Sequence, residues 1–159
     1  MGDAVSVSPP LTVALRPAGH DDCRRIWLWR NDEATRRASS DSSPIAFESH
    51  QRWFQATLRS PDRRAYIIEA GGEAAGMVRL DLEGEQATVS INLAPEWRGR
   101  GVGPLALERL TELAFGTLGL NRLVASVKAD NRASLAAFEK AGFASSVRGE
   151  TVTLGRSRA

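Results

Sequence analysis

The stretch Ala94–Leu107, APEWRGRGVGPLAL, decides the fold because its glycines separate a β-rich run from an apolar helical pattern. These glycines are Gly99, Gly101 and Gly103. Without a Cβ they let backbone N–H groups crowd toward an anion. A helix that begins near Pro104 adds partial positive charge at its N-terminus, and Arg98 and Arg100 add full charges. The loop therefore predicts a pyrophosphate site between a strand and a helix.

Three alternatives compete for this loop. A Walker A loop ends in Gly-Lys-Ser/Thr, whereas Gly103 is followed by Pro104. A dinucleotide fold needs wider glycine spacing and an acidic residue about 20 positions on, where the sequence has Leu120–Leu123. A tight turn without a ligand stays open, although the two arginines disfavour it.

Outward from the loop, hydrophobic patterning predicts a mixed α/β order. Upstream, the sequence predicts a strand Leu11–Arg16, a helix from Asp21 or Asp22 through Asn31, a serine-rich loop Ala38–Pro44, a helix Glu48–Ser60, and strands Ala65–Glu69, Ala75–Leu82 and Ala87–Leu93. Downstream, it predicts a helix Pro104–Leu118, a strand Arg122–Val127, a helix Asn131–Ala141 and a final strand or hairpin Val147–Leu154. Glycine turns between the three central strands favour an antiparallel meander. We expect residues 1–10 to form a flexible tail and residues 11–159 a single domain.

Composition excludes several classes of protein. The 159 residues carry a formal charge of +2, which is too small to indicate nucleic acid or an anionic membrane as a partner. No apolar run approaches the roughly 18 residues that cross a bilayer, and the start lacks a signal-peptide pattern. The single cysteine, Cys23, fits a reducing compartment, so we expect a cytoplasmic protein. With only His20 and His50 as imidazoles, no metal site is expected.

Two motifs resemble the GNAT superfamily of N-acetyltransferases. The run Arg98–Gly103 resembles its signature Arg/Gln-x-x-Gly-x-Gly/Ala, and Asn131–Phe143 (NRASLAAFEKAGF) resembles its next motif in matching order and separation. The resemblance covers Ala87–Phe143 and, with the strand-helix-helix start, extends over the domain. It implies a GNAT-like fold with a mostly antiparallel sheet splayed at the fourth strand, about four helices, and acetyl-CoA as cofactor.

The resemblance also assigns the cofactor site. In the family the strand before the loop opens at a bulge, here Ile91–Ala94, and the N–H of Leu93 faces the thioester oxygen. Such an oxyanion donor is worth about 3 kcal/mol. The residues expected to bind cofactor are Ile91, Leu93, Arg98, Gly99, Arg100, Gly101, Val102, Gly103, Asn131, Ser134 and Phe138.

Three of these residues have more than one interpretation. Asn131 caps a helix or contacts the cofactor arm. The Ser134 hydroxyl points at the cofactor sulfur or satisfies the backbone. Phe138 stands where many family members have a tyrosine that protonates the leaving thiolate, so we assign it to packing. Ser134, water or substrate then supplies the proton, or none is needed, because a thiol pKa of roughly 8.5 makes the thiolate a fair leaving group.

The general base has two candidates in the sequence. His50 is the leading candidate because imidazole titrates near neutral pH, and its alternative is an exposed or core-capping histidine. His20 is weaker, since it precedes a helix. Cys23 as an acyl-carrying nucleophile lacks an identifiable partner.

The N-terminal third gives the clue to the acceptor. The run WRND and the pattern H-x-x-W resemble a GNAT subgroup that acetylates the 4-amino group of nucleotide-linked deoxysugars, as in the pseudaminic acid pathway. The substrate-binding residues so implied are Trp29, Arg30, Asn31, His50 and Trp53. The alternative is that Trp27, Trp29, Trp53 and Phe54 only pin two helices to the sheet.

Two other functions stay open. The chain also resembles acetyltransferases of protein N-termini, such as those of ribosomal proteins, at its N-x-x-S helix. A non-catalytic acyl-CoA-binding module is the third reading, because both the tyrosine and an evident base are missing. The resemblance also allows a homodimer joined through the last strands.

Overall fold

The computed structural model describes residues 11–39 and 41–159. The predicted tail, residues 1–10, lies outside the described residues, as does Ser40 in the predicted serine-rich loop. The described residues form seven strands and five α-helices in the order β-α-α-α-β-β-β-α-β-α-β-β.

All seven strands belong to one sheet. They are β1 Val13–Pro17, β2 Arg63–Ala70, β3 Glu73–Glu83, β4 Gln86–Leu93, β5 Arg122–Lys128, β6 Ala144–Arg148 and β7 Thr151–Ser157. Their spatial order is β1-β2-β3-β4-β5-β7-β6, and every neighbouring pair is antiparallel except β4 and β5. The predicted meander is thereby confirmed, and the last predicted element is a hairpin of β6 and β7.

The helices number one more than expected. They are α1 Cys23–Asn31, α2 Glu33–Ala38, α3 Phe47–Arg59, α4 Val102–Glu112 and α5 Arg132–Lys140. The additional one, α2, has six residues and buries none of them, so it leaves no apolar periodicity in the sequence. Within the described ranges, none of these helices is long and apolar enough to cross a membrane.

The predicted helix Pro104–Leu118 corresponds to α4 followed by one π-helical turn, and it starts earlier than predicted. α4 begins two residues early, at Val102, and continues past Glu112 as a π-helical turn to Thr117. Pro104 is therefore the third helical residue, where a backbone N–H would have no partner within the helix. Its buried face, spaced at three to four residues, consists of Val102, Gly103, Ala106, Leu107, Leu110 and Thr111.

Side-chain alternation divides the sheet into two faces. A Cβ on Gly103 would lie 3.8 Å from Leu93 Cδ1, so α4 packs on the face to which Leu93 points. On the opposite face the Arg79 guanidinium lies 5.3 Å from the centre of the Trp53 ring in α3. Because Arg79 pairs with Ser90 and Met77 with Asn92, these residues share the face that α3 covers.

β4 and β5 remain together for only three residue pairs. The parallel pairing runs from Gln86–Arg122 to Thr88–Val124 and then ends. β4 meanwhile pairs with β3 in unbroken register up to Gly76–Leu93. The expected splay at the fourth strand is confirmed, but the bulge expected at Ile91–Ala94 is wrong: the opening comes from the divergence of two regular strands.

A buried carboxylate joins β1 to α1. Asp22 is 2% exposed and accepts hydrogen bonds from Arg16 Nη1 (2.9 Å), Arg16 Nη2 (2.8 Å) and the Gly19 N–H (2.8 Å). Burial by itself raises the pKa of this carboxyl, but the hydrogen bonds from Arg16 and Gly19 outweigh it and hold the pKa below its ordinary value. Asp22 therefore precedes α1 as expected, but its side chain binds Arg16 instead of capping the helix.

Replacement of Asp22 by asparagine should lower the free energy of unfolding by about 2 kcal/mol at pH 7, because a charged hydrogen bond contributes about 1.5–3 kcal/mol. The unfolded carboxyl titrates near 3.9, above the folded one, so its stabilisation is complete above that value. It is lost as the pH falls through the folded pKa, and wild type and Asp22→Asn should converge in acid. Urea unfolding at several pH values measures this, with exposed Asp21→Asn as the matched control. An equal loss in both variants would contradict the account.

Candidate functional site

A cavity of about 730 Å³ occupies the opening between β4 and β5. Its walls are the ends of both strands, the glycine loop, α2 and one side of α5, together with Arg30 of α1, Trp53 of α3, and Met77 and Arg79 of β3. Ten of the eleven residues predicted to bind cofactor line it: Ile91, Leu93, Arg98, Gly99, Gly101, Val102, Gly103, Asn131, Ser134 and Phe138. Of the predicted acceptor residues, only Arg30 and Trp53 line it.

The backbone of Leu93 is turned toward this cavity. The N–H of Ala94 donates to the Ala75 carbonyl of the neighbouring chain segment at 2.8 Å. Since successive residues of a strand point their N–H and C=O groups to opposite sides, those of Leu93 point away from β3 and into the opening. The Leu93 carbonyl there accepts from Arg98 Nη2 at 3.3 Å. The N–H of Leu93 is thus placed to donate to a ligand in the opening.

The glycine loop is shaped by backbone angles that favour glycine. Gly99 has φ 70° and Gly101 has φ 80°, both in the left-handed region. Gly101 is the residue that precedes α4, so the first N–H groups of that 11-residue helix border the cavity at Val102 and Gly103. A Cβ on either Gly99 or Gly101 would meet no atom within 4 Å, which shows open space beside the loop. An anion can approach these donors closely.

Arg100 is the predicted cofactor residue that does not line the cavity. Its guanidinium stacks 4.1 Å from the centre of the Trp97 ring and donates to the Glu96 carbonyl at 3.3 Å. This cation–π contact turns the side chain away from the glycines. The Arg100 side chain is therefore engaged by Trp97 and Glu96, and its binding of the cofactor stays a prediction.

The start of α5 forms the wall opposite the loop. The Asn131 side chain accepts from the Ser134 N–H at 3.3 Å, so the predicted helix cap is confirmed. Ser134 and Phe138 face the cavity from the same helix side. Phe138 is 2% exposed and packs edge-on against Phe143, with ring centres 5.0 Å apart. This contact agrees with the packing role that the sequence predicted.

His50 is fully buried and both of its ring nitrogens are engaged. Nε2 lies 2.8 Å from the Cys23 carbonyl, and Nδ1 lies 3.0 Å from Arg30 Nη1. A carbonyl only accepts and a guanidinium only donates, so the partners assign the proton to Nε2 and a lone pair to Nδ1. Burial lowers the pKa of His50, and the charge of Arg30 lowers it further against the opposing effect of the carbonyl.

This geometry leaves His50 no free nitrogen for a substrate proton. His50 also does not line the cavity, so the structure does not support the general base that the sequence predicted. It holds Arg30 instead. The H-x-x-W spacing places His50 and Trp53 on one side of α3 but contains no signal of the contacts with Cys23 and Arg30, which lie in α1.

Two further predicted acceptor residues are structural. Trp29 is buried in the core and does not line the cavity. The Asn31 amide donates to the Ile45 carbonyl at 2.9 Å and accepts from the Ile45 N–H at 2.7 Å. Asn31 therefore joins the end of α1 to the loop before α3. Both ends of its side-chain amide are hydrogen-bonded to the backbone of Ile45.

The side of the cavity that contains Arg30, Trp53 and Arg79, here called the acceptor side, is strongly basic. The Arg30 guanidinium lies 4.0 Å from the centre of the Trp53 ring, and the Arg79 guanidinium lies 5.3 Å from the same centre. Arg79 also donates to the Asp81 carboxylate, from Nε at 2.9 Å and from Nη2 at 3.1 Å. Burial lowers the pKa of Arg30, and the neighbouring charge of Arg79 lowers it further. The basic residues that line the cavity are Arg30, Arg79, Arg98, Lys128 and Lys140, and among the described lining residues there is no aspartate or glutamate.

Two of the basic residues that line the cavity, Arg79 and Lys128, were not predicted from the sequence. Both are charged side chains in otherwise largely apolar strands, and that interruption was the available signal. Across the parts of the chain that the structure describes, no group of three histidine, cysteine, aspartate or glutamate side chains could hold a metal ion. The site consists of backbone donors, cations and aromatic surfaces.

The model of the acetyltransferase (GNAT) domain family matches residues 12–144. The chain belongs to the GNAT acetyltransferase family. It is therefore an enzyme that transfers acetyl from acetyl-CoA to an amine, and acetyl-CoA is its co-substrate. The cavity between β4 and β5, bordered by the GNAT signature loop, is its candidate active site.

Relatives of this GNAT acetyltransferase cover most of its length. It is 27% identical to the spermidine N(1)-acetyltransferase of Escherichia coli (strain K12) over 142 residues, 87% of this chain and 75% of the relative. It is 30% identical to the putative phosphinothricin acetyltransferase YwnH of Bacillus subtilis (strain 168) over 140 residues, 83% of this chain and 84% of the relative. The crystal structure of Vibrio cholerae spermidine N-acetyltransferase in complex with CoA and spermine shares the fold, with a TM-score of 0.81 at 18% identity over 91% of this chain and 95% of that one.

In this GNAT enzyme, Gly101→Asp should weaken acetyl-CoA binding far more than Gly101→Asn. Both residues tolerate left-handed backbone angles and have nearly the same shape, but only aspartate places a negative charge beside the pyrophosphate. We expect at least about a tenfold difference in Kd between the two variants, equivalent to about 1.4 kcal/mol. Calorimetric titration measures it. Equal affinities would contradict the assignment of the loop to the pyrophosphate.

His50→Leu should raise the KM of the GNAT enzyme for its acceptor, whereas His50→Gln should retain most of the wild-type value. A glutamine amide can donate to Cys23 and accept from Arg30, and leucine can do neither. We expect about tenfold between the variants, with acetyl-CoA affinity unchanged. If both variants instead lost kcat at constant KM, together with an acidic limb of the pH profile, His50 would be the base after all.

Proposed function

We propose that this GNAT acetyltransferase acetylates the amino group of a nucleotide-linked amino sugar, by direct attack of the neutral amine on the thioester. Arg30 carries the proposal. Its part-buried guanidinium lines the cavity, stacks on Trp53 and is held by His50, and it has no carboxylate partner among the described residues. A diphosphate supplies the missing counter-charge with geometry that suits a guanidinium fork.

At the cofactor end, backbone groups carry the chemistry. The glycine loop and the start of α4 bind the pyrophosphate, and pantetheine lies in the opening beside Ile91. The N–H of Leu93 donates to the thioester oxygen as negative charge develops there, a contribution of about 3 kcal/mol. Asn131 and Ser134 position the arm from α5.

Two proton transfers complete the reaction. The cations that line the cavity, Arg30, Arg79 and Lys128, disfavour a charged ammonium among them, so the amine enters as the neutral base. Its nitrogen attacks the thioester carbon, the C–S bond breaks, and the nitrogen gives up one proton to water as the amide forms. The leaving group departs as a thiolate or takes a proton from Ser134 or water. Phe138 contributes packing only.

The same charges argue against other acceptors. A polyamine would meet like charge on the wall formed by Arg30, Arg79 and Lys128. A peptide N-terminus prefers an acidic groove, which the described lining residues do not provide. Acetylation of a protein N-terminus is thus the lesser candidate, and a homodimer joined through the last strands stays a prediction. The non-catalytic acyl-CoA-binding module is set aside, because the chain belongs to a family of acetyltransferases.

Thiol release from acetyl-CoA tests the proposal with four acceptors: a UDP-linked 4-amino-4-deoxy sugar, the same amino sugar without the nucleotide, spermidine and an N-terminal peptide. We expect turnover to be highest with the linked sugar. Arg30→Gln should lower kcat/KM for the linked sugar by about tenfold or more and for the free sugar much less, because only the former carries the diphosphate. The exposed Arg37→Gln is the matched control.

The other outcomes each favour a different function. Turnover of the peptide alone would point to the N-terminal acetyltransferase. Preference for spermidine would contradict the anionic acceptor. Tight acetyl-CoA binding without turnover of any of the four would mean that the acceptor is an amine of another class, and it would contradict the amino-sugar proposal.

A further inference from the structure

Helix α2 forms one wall of the cavity, but it does not pack into the hydrophobic core. Ala34, Thr35 and Ala38 line the cavity, yet none of the six residues of α2 is buried. Burial of apolar surface therefore cannot fix the position of this helix. Polar contacts at its two ends must do so.

At its first turn, α2 is bonded to the glycine loop and to β4. Asp32 caps the helix by accepting from the Thr35 N–H at 3.2 Å, and its Oδ2 also accepts from Arg98 Nη2 at 2.8 Å. The same Nη2 lies 2.9 Å from Thr35 Oγ1 and 3.3 Å from the Leu93 carbonyl. Thr35 Oγ1 in turn donates to Asn92 Oδ1 at 3.1 Å.

At its last turn, α2 is bonded to the other side of the opening. Lys128 Nζ, at the end of β5, donates to the Arg37 carbonyl at 2.8 Å. α2 thus bridges the two diverging strands, with Asn92 of β4 at one end and Lys128 of β5 at the other.

The Asp32–Arg98 contact is ionic and partly exposed to water. The two side chains are 23% and 36% exposed. Burial raises the pKa of Asp32, but the hydrogen bonds from Arg98 and Thr35 together with the charge of Arg98 outweigh it and hold the pKa below its ordinary value, so the carboxylate stays ionised. A pair in such a setting contributes little to global stability. Its effect is on where α2 lies.

Arg98 connects the cofactor loop to α2, because its backbone belongs to the loop and its side chain contacts Asp32. It is the first residue of the GNAT signature, so its backbone belongs to the loop that binds the cofactor. Its side chain reaches both the cap of α2 and the carbonyl of Leu93, whose N–H is the proposed thioester donor. Whatever orders the loop therefore also orders the first turn of α2, and by linkage the reverse holds.

We propose that Asp32 is a positioning residue which, through Arg98, couples acetyl-CoA binding at the glycine loop to the placement of α2 over the acceptor cavity. The inference rests on the acetyl-CoA site of the proposed function but does not depend on which amine is the acceptor.

Hydrogen exchange detected by mass spectrometry tests this on the full chain, without and with saturating acetyl-CoA. In the wild type, acetyl-CoA should slow the exchange of two segments, residues 98–105 and residues 34–39. Asp32→Asn should keep the protection of residues 98–105 and lower the cofactor-dependent protection of α2 by about threefold to fivefold, as for the loss of a partly exposed ion pair. Asparagine caps a helix as well as aspartate does, so this change deletes the charge and leaves the cap.

The matched control is Glu33→Gln. Glu33 pairs with Arg37 at 3.7 Å within α2 and does not reach the loop, so its loss should leave the coupling intact. The ratio of exchange rates with and without cofactor is the decisive readout, because a merely structural effect of Asp32 would change both states alike.

Two results would overturn the role of Asp32: a wild-type α2 that does not respond to acetyl-CoA, or an Asp32→Asn variant that responds as the wild type does. Absence of protection at residues 98–105 is a different result. It would overturn the acetyl-CoA site itself and this inference with it.

Discussion

The early divergence of β4 and β5 is the constraint on which the rest of the structure depends. Had the two strands paired to their ends, β5 would have taken both backbone groups of Leu93. Because pairing ends at Thr88–Val124, the carbonyl of Leu93 is available to Arg98 and its N–H to a thioester. The same divergence makes room for a cavity of about 730 Å³ and exposes the start of α5 to it. One interruption in the sheet thus supplies the binding space, the backbone N–H that we propose as the thioester donor, and the contact that anchors α2.

Charge is the second organising feature. Two of the arginines that line the cavity are paired with carboxylates, Arg98 with Asp32 and Arg79 with Asp81. The remaining basic residues lie at both ends of the cavity, where we propose that the loop binds the pyrophosphate and that Arg30 binds the acceptor. A site of this kind favours an amine attached to an anion and delivers that amine in its neutral form, which removes the need for a protein base.

Local patterns predicted the glycine loop, the two motif helices and the meander, because each depends on neighbours within one element. What escaped prediction depends on contacts between distant segments. The H-x-x-W pattern identified His50, but it did not show that His50 is buried or that its ring contacts Arg30, 20 residues away in the sequence. The signature found Arg98 but not Asp32, which is 66 residues away, and α2 lacks the apolar periodicity that would reveal a helix. The loop pattern also did not reveal that the Arg100 side chain stacks on Trp97 and does not line the cavity.

The central claim is that the Leu93 N–H faces the thioester, and amide NMR titration tests it most directly. With CoA or acetyl-CoA, the Ile91 and Leu93 amides should shift strongly, whereas those of Asn92 and Ala94, directed toward β3, should shift less. Only acetyl-CoA brings a thioester oxygen, so the Leu93 amide proton should move further downfield with acetyl-CoA than with CoA. Equal Leu93 positions with both ligands, or a Leu93 amide that neither ligand moves, would contradict the account.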